Sequence, residues 1–137
     1  MITKSSGFSL VELLVVVAIL GILSAVSIVS YNGYVSGTKQ KTAKNTMLQI
    51  SLAQTEEYSN SGEYHIQTKS DTCTPDSDTS DDIETVLFGG GDVISEETGY
   101  DMCIATPDDA SYIVVASNKN TGGDKTITMT ANGVWGE

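Results

Sequence analysis

The sequence predicts an α+β protein in which a long N-terminal helix precedes a small antiparallel β-sheet. Three observations carry that prediction. Residues 8–29 form an almost unbroken apolar run. Residues 38–58 place apolar side chains at helical spacing. The chain beyond residue 99 holds β-rich segments separated by turn-forming residues.

Within residues 8–29 the only polar side chains are Ser9, Glu12, Ser24 and Ser27. As a helix this run measures about 33 Å, enough to cross a hydrocarbon core of ~30 Å. Glu12 is the anomaly. An acid in such a span costs roughly 2.5–3.5 kcal/mol on insertion scales, which marks a position that has a partner. A secretory signal peptide is one alternative, with Lys4 in a short basic region and small residues at 24–27. Against it, the run exceeds the ~7–15 residues usual for such a region and carries an acid at its head. A plain uncleaved anchor is the other alternative, and it leaves the Gly7-Phe8 junction and Glu12 unexplained.

The helix is expected to continue well past the span. Residues 27–37 include Gly33 and Gly37, each costing ~1 kcal/mol relative to alanine, so the stretch reads as a break or as a soft part of one helix. A single helix over residues 8–58 is the reading taken, membrane-spanning in its first half and amphipathic in its second. Its inner face is either Ala43, Met47, Ile50 and Gln54 or Leu48, Leu52 and Ala53. The end falls at Ser59-Asn60-Ser61-Gly62. Residues 63–82 read as a polar loop. Ser80 is expected to cap a short helix over 81–88, because Asp81 and Asp82 suit its positive end. Gly89-Gly90-Gly91 stops that helix and is no phosphate loop, since no Gly-Lys-Ser/Thr follows. Strands are expected at 99–105, 112–117 and 125–130, with a hairpin connection over 118–124 and a fourth edge at Val134-Trp135.

At 137 residues the chain is one domain's worth, with a net charge of −11 and no arginine. Its acids cluster over residues 71–109, so direct nucleic-acid binding is not expected. Lys39, Lys41 and Lys44 form the one tight basic group, read as a solvated helix face or as partners for acids of a neighbouring subunit. Cys73 and Cys103 form an even pair, which in an exported domain favours a disulfide. Closing that 30-residue loop is worth ~3.5 kcal/mol in the chain-entropy model. Two cysteines and the single histidine, His65, make a poor zinc set, and His65 reads as a surface or packing residue. No nucleophile motif or catalytic carboxylate pair stands out, so no enzyme activity, cofactor or metal is expected. Residues 76–84 faintly resemble a calcium loop but lack its sixth-position glycine and its closing glutamate.

Gly7-Phe8-Ser9-Leu10-Val11-Glu12-Leu13, followed by a Leu/Val/Ile run, resembles the processing motif of type IV prepilins and pseudopilins. Tyr31 and Tyr34 also fall where that family commonly carries tyrosines. The resemblance covers about residues 4–34 and implies a pilin-like fold. It implies cleavage between Gly7 and Phe8 by a prepilin peptidase, N-methylation of Phe8, and pairing of Glu12 with the N-terminal amine of a neighbouring subunit. Residues 1–7 would be a cleaved leader, 8–30 the membrane and filament-core helix, and 31–137 the extracytoplasmic domain. Two departures from the family pattern stand out: Val29 occupies a position where many members have proline, and the basic residue is displaced to Lys4.

The implied protein is a structural pilus subunit, made as a single-pass inner-membrane precursor and assembled into an extracellular helical filament. Its implied partners are copies of itself, other pilins and the inner-membrane assembly machinery. A pseudopilin of a secretion or DNA-uptake system is the nearest alternative. A membrane-anchored ligand- or metal-binding module that does not polymerise is the alternative of another class. Motility, adhesion and uptake are all compatible with these residues.

Overall fold

The computed structural model describes residues 6–121 and 125–137. Lys4 and the rest of residues 1–5, and Gly122, Gly123 and Asp124 of the expected hairpin connection, lie outside the described residues. Two compact units divide the chain, Met1–Thr38 and Lys39–Glu137. Helix α1 (Leu10–Ser61) contributes to both. It runs through Gly33 and Gly37 without a break.

In the second unit α1 resolves the choice between its two apolar sets. Ala43, Met47, Ile50 and Gln54 are buried together with Thr46, while Leu48 and Leu52 are exposed. The buried positions recur every three or four residues and so form one stripe. Gly62, at φ 82°, ends the helix with its N–H donating to the Tyr58 carbonyl at 2.8 Å.

Helix α2 (Ser77–Phe88) begins earlier than the composition suggests, and its cap is Asp76 rather than Ser80. Asp76 Oδ1 accepts from the Thr79 N–H at 2.8 Å, and Thr79 Oγ1 accepts from the Asp76 N–H at 2.9 Å. This reciprocal pair satisfies two donors that a helix start leaves open. Ser80 is buried instead, and its hydroxyl accepts from the Met102 N–H at 3.0 Å. Gly89, at φ 64°, closes α2 in the left-handed conformation.

Four strands follow in chain order: β1 (Tyr100–Ala105), β2 (Ile113–Asn118), β3 (Thr126–Thr130) and β4 (Trp135–Gly136). They form one antiparallel sheet in that same order. The register sets Met102 opposite Ala116 and Ala116 opposite Ile127, with Ile104, Val114 and Met129 aligned beside them. These side chains share one face and one core cluster with Ala43, Met47 and Ile50 of α1 and Ile83 of α2. Helix and sheet thus bury each other's apolar side, the usual two-layer solution.

The segment between the helices is tied down by two glutamines whose amides imitate a peptide group. Gln54, fully buried, donates to the His65 carbonyl at 2.7 Å and accepts from the His65 N–H at 2.8 Å. Gln67 accepts from the Ile104 N–H at 2.9 Å and donates to the Thr79 carbonyl at 2.8 Å. No buried side-chain polar atom among the described residues lacks a partner, as stable interiors require. Tyr64 stacks on Tyr58 at 4.6 Å and meets Tyr112 edge-on at 4.9 Å.

Candidate functional site

The first unit concentrates every feature of the N-terminal motif at one helix start. Ser9 stands just before α1, and Glu12 is the third residue within it. The Ser9 N–H donates to Glu12 Oε2 at 2.9 Å, and the Glu12 N–H donates to Ser9 Oγ at 3.2 Å. This is a capping box, and its sequence signal is a serine three residues ahead of a glutamate before an apolar run. The motif reading overlooked Ser9. Glu12 therefore has two local advantages despite its apolar surroundings: a backbone donor, and the positive end of the helix dipole. One carboxylate oxygen, Oε2, is engaged by Ser9.

Phe8 is 88% exposed, and Gly7 and Glu12 are exposed beside it. A Cβ built on Gly7 meets nothing within 4 Å, so the chain's own packing sets no requirement for glycine there. Beyond Glu12, every large apolar side chain through Val29 is exposed, from 48% at Val15 to 75% at Val29. By length and composition this helix can cross a membrane. Ser24 and Ser27 donate their hydroxyls to the carbonyls of Leu20 and Leu23, each at 2.7 Å, within the helix itself.

In the second unit Cys73 and Cys103 are joined by a disulfide with a Cα–Cα distance of 6.2 Å. The basic group divides. Lys44 donates to Glu137 Oε1 at 2.6 Å and lies 5.5 Å from the centre of the Trp135 ring. Lys39 and Lys41 form no ion pair among the described residues. His65 contacts Asp82 Oδ2 through Nε2 at 2.9 Å, and Gln67 donates to the same oxygen at 2.8 Å. The Gln67 bond, followed by the His65 bond, holds the Asp82 carboxyl below its ordinary range.

Residues 76–84, the stretch that resembled a calcium loop, form the cap and first turns of α2 rather than a cation-wrapping loop. Among the described residues no group of three or more side chains is arranged to hold a metal ion.

A family profile described as the prokaryotic N-terminal methylation motif matches residues 2–28. The type IV major pilin protein PilA of Myxococcus xanthus (strain DK1622) is 36% identical over 61 residues, which is 44% of this chain and 28% of that protein. The chain thus matches less than a third of that relative's length. No solved structure matches it. The matched motif agrees with a long helix, apolar in its first half, followed by a small antiparallel sheet, and on both grounds the chain is similar to type IV pilins.

Proposed function

We propose that this protein is the structural subunit of a type IV pilus, inserted in the inner membrane as a single-pass precursor. A prepilin peptidase cuts after Gly7, Phe8 is methylated at its new amine, and the inner-membrane assembly machinery polymerises the product into an extracellular helical filament. Glu12 receives the Phe8 amine of a neighbouring subunit. The observation that carries this reading is a helix start where a small residue, an exposed Phe8 and a lone acid precede an apolar surface left exposed among the described residues.

The physical case rests on charge and on surface. Gly7 and Phe8 are exposed, so the bond between them is open to an external protease. An amine and a carboxylate buried together in an apolar bundle neutralise each other, whereas either one alone is strongly unfavourable. Methylation leaves the amine charged, so the pair survives it. The relative named as a major pilin favours a pilus over a secretion pseudopilus.

Intact-mass measurement of the native protein tests processing: residues 1–7 should be missing and Phe8 should carry one methyl group. Electron microscopy of sheared surface fractions should then show long filaments containing the chain. An unprocessed native mass overturns the reading.

A further inference from the structure

β1 lies at one edge of the sheet, yet its outward backbone groups are occupied from two separate sources. Near its middle, α2 holds Met102: Thr79 Oγ1 donates to the Met102 carbonyl at 2.9 Å, and the Met102 N–H donates to Ser80 Oγ at 3.0 Å. Toward its end, the segment 62–76 holds the strand instead. The Ile104 carbonyl accepts from the N–H groups of Gln67 at 3.1 Å and Thr68 at 3.2 Å. The Ile104 N–H donates to Gln67 Oε1 at 2.9 Å, and the Thr106 N–H donates to the Thr68 carbonyl at 3.0 Å. Thr68 thereby forms a parallel bridge to Ala105.

Besides its bonds to β1, this segment is held by polar contacts: Gln67 donates to the Thr79 carbonyl and to Asp82 Oδ2, each at 2.8 Å, and Lys69 pairs with Asp109 at 2.9 Å on the exposed surface. None of residues 62–76 is fully buried, and only Tyr64 and Ile66 lean on the core. Its leading end is fixed by Gln54 on His65 and by the His65–Asp82 contact. Its far end is fixed by the Cys73–Cys103 bond, whose second sulfur belongs to β1 itself. A segment without a fully buried residue opens locally more readily than a core does.

We infer that residues 62–76 are a redox-latched strap over the sheet edge. With the disulfide intact, the strap stays on the Ile104 and Thr106 half of that edge. A dithiol reductant unlatches it: one reductant thiolate attacks a cysteine sulfur, and the other cysteine leaves as a thiolate and takes up a proton. The reductant's second thiolate then displaces the first cysteine from the mixed disulfide. The products are two cysteine thiols and one cyclic disulfide. Unlatching frees the outward backbone groups of Ile104 and Thr106 to solvent. Met102 stays covered because its partners come from α2.

The test is amide-resolved hydrogen exchange on the full chain in detergent micelles, with and without dithiothreitol, alongside thiol labelling to count reduced cysteines. On reduction the Gln67, Thr68, Ile104 and Thr106 amides should exchange ~10-fold faster or more, with Met102 and Val115 unchanged. Cys73→Ser should give the same pattern without reductant. Unchanged Ile104 exchange with both thiols labelled overturns the strap. So does acceleration of Met102 and Val115 together with Ile104, because the disulfide would then hold the whole sheet.

Discussion

Helix α1 presents the same kinds of side chain in opposite ways in the two units. In the first, Leu10, Leu20 and Ile28 are 78%, 57% and 64% exposed; in the second, Ala43, Met47 and Ile50 are fully buried. Propensity and hydrophobicity do not account for the difference, since both stretches are apolar and helical. What differs is whether the chain supplies the opposing surface. Residues 39–137 carry their own sheet to cover the helix stripe, and that unit is complete by itself. Residues 10–38 carry none, so their burial requires lipid or other copies of the helix.

The largest effect should follow removal of the one acidic side chain in the uncovered unit. Glu12→Ala should leave the precursor inserted and cut after Gly7, yet reduce surface filaments about 10²–10⁴-fold, from ~3–5 kcal/mol of unpaired buried charge. Glu12→Gln should be nearly as defective. Quantifying processed protein in membranes against sheared filaments decides it, and normal filaments from Glu12→Ala would leave only the anchor role.

Deleting the uncovered unit breaks the comparison from the other side. A fragment of residues 39–137 should be soluble, folded and monomeric by circular dichroism and sedimentation, with filament formation lost. Fibres from that fragment would mean the completed unit also drives assembly.

Smaller effects probe the completed unit. Met47→Ala should destabilise it by ~2–5 kcal/mol in denaturant titration, because Met47 is fully buried in the core cluster. Asp76→Ala removes the α2 cap and should cost about 1 kcal/mol. The smallest change is in pH dependence. Asp82 titrates below its ordinary value in the folded state, so its contribution is present above that ordinary value and is lost as pH falls through the folded one. With the Asp82 side chain 48% exposed, solvent screening keeps the contribution under ~1 kcal/mol. Asp82→Asn should therefore lower stability at neutral pH by under ~1 kcal/mol, leave the acid end nearly unchanged, and so flatten the acid limb of the stability curve slightly.

Much of this architecture is legible in the sequence because it follows from periodicity and turn chemistry. The four strands fall within a residue or two of their expected bounds, since β-branched runs punctuated by Gly and Asn leave few options. The N-terminal motif is legible for a different reason: an acid in an apolar run conflicts with the solvent that surrounds it. What escapes a linear reading is polar pairing across long separations. Ser80, with two acids after it, has the composition of a cap, yet Pro75-Asp76 starts α2 and leaves the Ser80 hydroxyl to reach Met102, 22 residues away. Gln54 counts as a neutral position in an apolar stripe, and its role appears only once His65 folds back against it. The Ser9–Glu12 box is local and was legible, but the acid invites a search for a distant partner before a near one.

The two serines of the apolar helix have a mechanical consequence. By turning their hydroxyls onto Leu20 and Leu23 of their own helix, Ser24 and Ser27 leave its flank without outward-reaching hydrogen bonds. In a bundle of such rods, neighbouring helices would slide along one another mainly against dispersion forces, with few polar teeth to catch. Resistance to axial shear would then fall on the proposed pairing at Glu12. A fibre built this way would stretch by sliding between pinned points, and its elasticity would be set by how those points are spaced.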